Sequence, residues 1–177
     1  MRILAISGSL RASSSNTAVL RATTRLAPSG CHVALYDGLT ALPYFNPDLD
    51  TDSPPAPIRA FRSAVGASDA LLISSPEYAR GVAGAMKNAL DWLVGSAEFP
   101  GKPVALINAS PRSVHADAQM RTTLVTMSAR LIEDASITLP LLGRNLDADA
   151  IVADDGLSAA LRAALLRLCD AIGRVPA

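Results

Sequence analysis

The sequence has 177 residues, of which 50% are hydrophobic and 18% are charged, so it is long enough to bury a core without a metal or a disulfide framework. Its 16 basic and 16 acidic residues balance, and the pI of about 6.7 gives no positive field to attract nucleic acid or an anionic membrane. We expect one domain over residues 1–177, with neither nucleic acid nor a membrane as partner, since no stretch approaches the ~18 apolar residues of a membrane span.

Apolar runs alternate with helical patterns along the chain. The predicted strands are residues 3–7, 32–36, 70–74, 104–108 and 135–138. The predicted helices are residues 16–27, 58–67, 83–94, 116–131 and 158–172. This alternation is typical of an α/β domain with a parallel sheet and right-handed crossovers.

Two long connections and two cysteines complete the pattern. Residues 39–57 form a proline-rich surface loop of a kind that is often functional, and residues 143–156 form a second connection without identifiable chemistry. Cys31 and Cys169 lie in apolar stretches without metal-ligand spacing, so we expect both to be buried and reduced. The short apolar run at the N-terminus does not resemble a secretory signal, and these features together predict a cytoplasmic protein.

Polar residues are concentrated between the first strand and the first helix, where ligands bind in open parallel sheets. The stretch SGSLRASSSNT, residues 7–17, is neither GxGxxG nor a P-loop, because it lacks the P-loop lysine. Its hydroxyls, its asparagine, Arg11 and the N–H groups of a helix start are suited to one terminal phosphate. The alternative is that Ser and Asn only cap the helix while Arg11 is solvated.

A second informative loop follows the third strand and begins with Pro76, Glu77 and Tyr78. At the switch point of the sheet it lies beside the first loop, so its backbone groups are expected to face the polar edge of a planar ring. The alternative is that Tyr78 packs on the surface. Trp92, inside the following helix, is expected in the core.

Three segments resemble the NAD(P)H-dependent FMN reductases. GSLRASSSNT is similar to the family's GSLRxxSxN signature, PEYARGVAGAMKNALDWL to PEYNxSxPGxLKNAxDW, and LPYFNPDL to LPLYNPDL. The resemblance implies a flavodoxin-like three-layer sandwich, with a five-stranded parallel sheet of order 2-1-3-4-5 and helices on both faces. It also implies a homodimer or homotetramer that reduces a small electrophilic acceptor, such as a quinone, free flavin, azo compound or metal oxyanion.

The resemblance also implies the cofactors and their contacts. FMN is the expected cofactor and NADPH or NADH the electron donor, with hydride passing to the flavin N5, so no catalytic side chain and no metal are required. The positions expected to bind the FMN phosphate are Ser9, Arg11, Ser14, Asn16 and Thr17. Those expected to contact the ring are Pro76, Glu77, Tyr78 and Ser110.

The chain departs from the family at both ring loops. Ala79, Gly81 and Ala83 replace an asparagine, a serine and a proline, so side-chain contacts from those positions are lost. After the fourth strand, SPRSVHA (residues 110–116) replaces a glycine-rich SxGxxGG loop and is stiffer. His115 is expected to be solvated, and the alternative is that it contacts the acceptor or the cofactor. Arg80 and Arg112 are expected to be surface arginines, and the alternative is that they bind a phosphate of the nicotinamide donor.

The sequence is also compatible with other functions. A non-catalytic FMN-binding or sensing module is the main alternative, because a fold does not fix an activity. The balanced charge disfavours a flavodoxin-type electron carrier, which needs an acidic docking face. FMN is either a tightly bound group or a dissociating substrate. For self-association, the predicted fourth helix offers the apolar stripe Met120, Leu124, Met127 and Leu131, which is alternatively its core face.

Overall fold

The computed structural model describes residues 1–173. Its strands are β1 (Arg2–Ser7), β2 (His32–Tyr36), β3 (Ala70–Ser74), β4 (Glu77–Tyr78), β5 (Gly81–Val82), β6 (Pro103–Asn108), β7 (Arg130–Leu131) and β8 (Ile137–Thr138). Its helices are α1 (Ser15–Leu26), α2 (Ala56–Gly66), α3 (Gly84–Val94), α4 (Val114–Thr126), α5 (Ala148–Ala153) and α6 (Asp155–Gly173).

The central sheet is parallel and has the order β2-β1-β3-β6-β7. β8 also pairs in parallel with β6, and a 3-10 turn at Glu133–Ala135 separates it from β7. The fifth position of the sheet is therefore shared by two short strands. This arrangement confirms the predicted order 2-1-3-4-5.

The inner strands are buried on both faces, which explains their continuous apolar runs. On one face Ile3 and Leu72 pack with residues of α1 and α6, such as Leu20 and Leu165. On the other face the residues of α2, α3 and α4 form a second cluster, which includes the fully buried Trp92. The two clusters make the three layers, and the core position expected for Trp92 is confirmed.

The proline-rich segment after β2 is anchored to α3 by two side chains. Trp92 Nε1 and Asn88 Nδ2 both donate to the carbonyl of Pro43, at 2.8 Å and 2.9 Å. Asn88 Oδ1 accepts from the amide of Phe45 at 2.7 Å. The Asn and Trp of the KNALDW motif therefore fix the LPYFNPDL segment.

The fourth helix is shorter than predicted, because α4 ends at Thr126 and the chain reverses at Ser128, whose φ is 64°. Leu131 lies in β7 instead. Met120 and Leu124 are buried in the core, and Met127 and Leu131 pack partly buried against it. The apolar stripe is the core face of this region and does not provide spare surface for self-association.

The two cysteines are joined in a disulfide, so the expectation of reduced thiols is wrong. Cys31 precedes β2 and Cys169 lies in α6, and 138 positions separate them in the sequence. Both pack in the core layer that contains α1 and α6, so tertiary packing brings them together. Their spacing in the sequence matches no motif that would have predicted the pair. In residues 1–173 no helix has both the length and the hydropathy needed to cross a membrane.

Candidate functional site

A cavity of about 340 Å³ lies at the carboxyl edge of the sheet. Four loops line it, and they follow β1, β3, β6 and β8. This is the edge where parallel sheets bind ligands, and the volume lies within the range of small-molecule sites.

The first loop is organised around the start of α1. Ser14 is the N-cap, and its hydroxyl accepts from the amide of Thr17 at 3.3 Å. Ser7 and Thr17 pair through their hydroxyls at 2.8 Å. The Asn16 amide oxygen accepts from the Ser74 hydroxyl at 2.9 Å, so the opposite end of the Asn16 side chain is left to donate. Ser14 therefore caps α1, as the alternative interpretation expected, and this cap is compatible with a set of hydrogen-bond donors in the same loop.

Gly8 lets this first loop pass close to the third strand. Its amide donates to the carbonyl of Ser74 at 2.8 Å. A Cβ at residue 8 would lie 2.3 Å from Ser75 Oγ and 2.8 Å from Ser75 Cβ, which is shorter than any normal contact. The close approach of the first loop to the end of the third strand therefore requires glycine at this position.

The second loop is a small hairpin, formed by β4 and β5, that the sequence did not predict. Its two turn residues, Ala79 and Arg80, have φ of 49° and 59°. Both values are typical of a type I′ turn, which favours Asn and Gly at these positions. Tyr78 is 57% exposed beside the turn, so its apolar ring is available at the mouth of the cavity.

Two side chains fasten this hairpin to α4. Glu77 Oε2 accepts from the amides of His115 and Ala116, each at 2.9 Å, and so caps the N-terminus of α4. Gln119 Oε1 accepts from the amide of Val82 at 2.9 Å. The N-cap residue Ser113 makes no side-chain capping bond of its own, so Glu77 supplies the cap from across the site.

The third loop, SPRSVHA, is a compact turn before α4. The Asn108 amide oxygen accepts from the amide of Ser110 at 3.1 Å, and the Ser110 hydroxyl accepts from the amide of Arg112 at 3.2 Å. The amide of Ser113 donates to the carbonyl of Ser110 at 3.0 Å. Side-chain and backbone hydrogen bonds therefore order this loop.

The cavity brings the predicted site residues together from loops far apart in sequence. Its lining contains Ser9, Arg11, Ser14, Asn16, Pro76, Glu77, Tyr78 and Ser110. Of the predicted contacts, Thr17 is outside this lining, and its hydroxyl is paired with Ser7. His115, Arg80 and Arg112 are exposed and are not part of the lining.

Sequence reasoning missed part of the lining. Ser13 and Ser15 of the predicted phosphate loop also line the cavity, and the residues outside that loop that were not predicted are Ala109, Ser113, Leu142, Gly143 and Asn145. The last three belong to the connection after β8, for which the sequence suggested no chemistry. The position of this connection directly after the last strand could have predicted its place in the site, because that strand also ends at the carboxyl edge of the sheet.

The residues present fit FMN. The donors near the start of α1 are hydroxyls, an amide and a guanidinium, and residues 7–17 contain no carboxylate that would repel a phosphate. The carboxylate at the other end of the cavity, Glu77, is already occupied by two amides of α4. Both groups of residues line this one cavity.

Comparison with known proteins agrees with this geometry. The family model described as NADPH-dependent FMN reductase matches residues 1–141. An NAD(P)H-dependent FMN reductase of Pseudomonas aeruginosa is 34% identical over 160 residues, which cover 88% of this chain and 86% of that protein. A quinone reductase of Pseudomonas putida is 38% identical over 117 residues, which cover 63% of this chain and 61% of that protein.

Among solved structures, the NAD(P)H:acceptor oxidoreductase FerB of Paracoccus denitrificans superposes with a TM-score of 0.75 and 25% identity. The match covers 96% of this chain and 97% of FerB. The flavodoxin-like fold expected from the sequence is thereby confirmed. The chain belongs to the NADPH-dependent FMN reductase family.

Proposed function

We propose that this chain is an NAD(P)H-dependent oxidoreductase that binds FMN in the 340 Å³ cavity and reduces a small electrophilic acceptor. The observation that carries the proposal is the joint lining of one cavity by the first loop and the hairpin. A phosphate-binding end and a ring-binding end are what FMN requires, and the family membership and the names of the relatives support the same activity.

At the phosphate end, the proposed ligands are Ser9, Arg11, Ser14 and Asn16, whereas Thr17 lies outside the lining with its hydroxyl paired to Ser7. Arg11 is exposed and provides the positive charge, whereas Asn16 is buried and held by Ser74. The first turn of α1 adds its free amides and the positive end of its dipole. A single monophosphate is therefore favoured over a bulkier polyphosphate.

At the ring end, we propose contacts from Pro76, Glu77, Tyr78 and Ser110. Because the Glu77 carboxylate is bound to α4, this residue would contact the ring through its backbone. FMN, once bound, supplies the two-electron chemistry. The protein orients it, and the exposed side chains of Tyr78 and Leu142 line the cavity.

A quinone is the acceptor that we propose first. Quinone reductases of Pseudomonas putida and Escherichia coli are among the relatives, at 38% and 31% identity. The exposed ring of Tyr78 offers a flat apolar surface beside the cavity, suited to a planar acceptor. Free flavin, azo compounds and metal oxyanions are the alternative acceptors to compare in the same assay.

The decisive experiment is an absorbance spectrum of the FMN-loaded protein, recorded without oxygen before and after addition of NADPH or NADH. Bleaching of the flavin band, followed by its return on addition of a quinone, is the expected result. A spectrum that both donors leave unchanged would instead identify a non-catalytic FMN-binding module. Titration of the oxidised and reduced flavin then tells whether FMN is a resident group or a substrate.

The phosphate end is tested by Asn16→Asp. The new carboxylate keeps an oxygen for Ser74 but repels the phosphate, so we expect the Kd for FMN to rise at least tenfold. Thr24→Asp is the matched control, because it adds the same charge to an exposed position of α1 outside the cavity. Equal Kd values for the two variants, measured by fluorescence quenching, would contradict the assignment.

Self-association as a homodimer or homotetramer is part of the proposal. Tyr44, Phe45 and Leu49 are exposed by 91%, 37% and 38% in the segment anchored by α3, and this apolar patch suits a contact between copies. Sedimentation equilibrium at micromolar concentration measures the mass. A monomer under these conditions would refute this part alone.

We further propose that residues 1–177 act as one FMN-binding domain in the cytoplasm, the compartment that supplies reduced nicotinamide. Disulfides are rare in reducing compartments, so the redox state of the Cys31–Cys169 pair in the cell is the observation that tests this location. Thiol alkylation in intact cells, followed by mass spectrometry, measures the redox state where the protein resides. Fractionation of the same cells tests the location directly.

A further inference from the structure

A second and larger cavity adjoins the FMN cavity. Its volume is about 510 Å³, and it lies between α1 and the segment that leads into α5. Both cavities are lined by Arg11, by the serines at positions 13, 14 and 15, and by Asn145. A molecule bound in the second cavity would thus contact residues that also surround the flavin phosphate.

The lining of this cavity carries two arginines, Arg11 and Arg21, and two aspartates, Asp147 and Asp149. Asp149 forms an ion pair with Arg25, and the Asp147 carboxylate accepts from the amide of Ala150 at 2.8 Å. Within residues 1–173, neither Arg11 nor Arg21 has an acidic partner. Two exposed guanidinium groups therefore face a space whose carboxylates are already engaged.

The remaining lining is apolar. Ala18 of α1, together with Leu146 and Ala148 on the opposite side, provides surface without hydrogen-bonding side chains. A volume of about 510 Å³ greatly exceeds the space that one phosphate needs and suits a nucleoside with its phosphates. Cationic groups beside an apolar wall favour a phosphorylated nucleoside.

We propose that this cavity binds the adenosine half of NADPH, with Arg21 recognising the 2′-phosphate. The inference rests on the proposed reductase function and deepens it, because it predicts that NADPH is preferred over NADH. Arginine is suited to this role since its guanidinium binds phosphate oxygens through two parallel hydrogen bonds. Arg21 is then a specificity-determining residue and takes no part in the chemical step.

The position of Arg21 separates this subsite from the FMN phosphate site. Asn16 lines only the smaller cavity and Arg21 only the larger one. A substitution of Arg21 is therefore expected to leave FMN bound. The Kd for FMN, measured beside the circular dichroism spectrum, checks both flavin retention and folding of each variant.

The binding test uses FMN-loaded protein and calorimetric titration with adenosine 2′,5′-bisphosphate or adenosine 5′-monophosphate. We expect the bisphosphate to bind about tenfold more tightly than the monophosphate, and Arg21→Gln to abolish that preference. Arg162→Gln is the matched control, because it removes one exposed arginine from α6 outside the cavity. Displacement of FMN by the bisphosphate, or equal preference in both variants, would overturn the subsite.

The kinetic test compares the two donors. In Arg21→Gln we expect the ratio of kcat/KM for NADPH to that for NADH to fall about tenfold, through KM for NADPH, while Arg162→Gln keeps the wild-type ratio. Reduction by NADPH that is identical in all three proteins refutes the subsite and retains the reductase. If the bisphosphate binds in a manner that depends on Arg21 but NADPH fails to reduce the protein, the subsite proposal is supported and the reductase proposal is refuted.

Discussion

At the residue scale, the tip of the β4–β5 hairpin carries backbone strain. Ala79 and Arg80 adopt positive φ values of 49° and 59°, which cost non-glycine residues roughly 1 kcal/mol each. The strained residues lie directly after Tyr78, which lines the cavity proposed for FMN. Backbone strain of this kind is typical of functional sites, where the surrounding structure holds a loop in an unfavourable conformation.

The strain predicts a stabilising substitution. Arg80→Gly should raise the free energy of unfolding by about 1 kcal/mol and the Tm by about 3 °C, because glycine adopts this conformation without steric cost. Arg80→Ala is the matched control, since it removes the same side chain but keeps a Cβ at positive φ. Differential scanning calorimetry measures both, and equal Tm values for the two variants would contradict the strain.

At the element scale, the capping of α4 by Glu77 joins the hairpin to the loop after β6. Glu77→Gln replaces a charge-assisted pair of hydrogen bonds by neutral ones, so we expect the free energy of unfolding to fall by about 1 kcal/mol. FMN should also dissociate faster, because both ring loops lose the same support. Urea unfolding and stopped-flow fluorescence measure the two effects.

The control for Glu77 is Asp52→Asn, which removes an exposed carboxylate from the segment before α2. It should change neither quantity by more than about 0.5 kcal/mol. If Glu77→Gln behaved in the same way, the carboxylate would not be a cap that supports the site.

The turn after α3 gives a prediction for acid stability. A hydrogen bond from the Ser96 hydroxyl, at 2.6 Å, is the main reason that the pKa of Glu98 is lowered, and Arg62 and Lys102 add smaller attractions. A lowered pKa in the folded protein stabilises it above the unfolded value of about 4.3, and this contribution is lost as the pH falls through the folded pKa.

Ser96→Ala should therefore lower the free energy of unfolding by a few tenths of a kcal/mol above pH ~5, with the difference shrinking below pH ~4. Urea unfolding at several pH values checks the trend. In a Glu98→Gln background the pH-dependent part of the Ser96 effect should vanish. A difference that grew toward acid would have the wrong sign for this interpretation.

At the scale of the whole molecule, the disulfide connects the start of β2 to the last helix across 138 positions. Closing so long a loop restricts the unfolded chain, so replacing both cysteines by serine should lower the free energy of unfolding by about 2–4 kcal/mol. Urea unfolding of the oxidised and the reduced wild-type protein should give free energies of unfolding that differ by the same amount. A reductant that left the wild-type midpoint unchanged would contradict it, and the double variant should not respond to reductant.

The sequence predicted most of the fold because the long elements have clear patterns. β2 and β3 were placed at their observed bounds, since each is an apolar run between turn residues. β8, at Ile137–Thr138, lies within the predicted strand 135–138, whereas β4, β5 and β7 have two residues each and are too short to show any periodicity. The end of α4 was overestimated for this reason, since the apolar residues that follow it belong to a turn and to β7.

The candidate site was predicted where local motifs define it and missed where only tertiary structure does. The loops that contain Ser9 and Tyr78 carry dense polar patterns, so their approach to one cavity followed from sheet topology. Asn145 has no motif around it and reaches the cavity because of where β8 ends. The engagement of the Glu77 carboxylate by α4, and the pairing of Cys31 with Cys169, are likewise contacts between distant segments.

The interrupted fifth position of the sheet bears on how copies of the chain meet at high concentration. β7 and β8 are separated by the Glu133–Ala135 turn, and the Ser136 hydroxyl accepts the amide of Leu106 where the ladder is broken, at 3.1 Å. This border exposes no continuous row of unpaired amides and carbonyls, so it is a poor template for an incoming strand. Fibril-like growth through backbone pairing would have to begin at the opposite border, along β2.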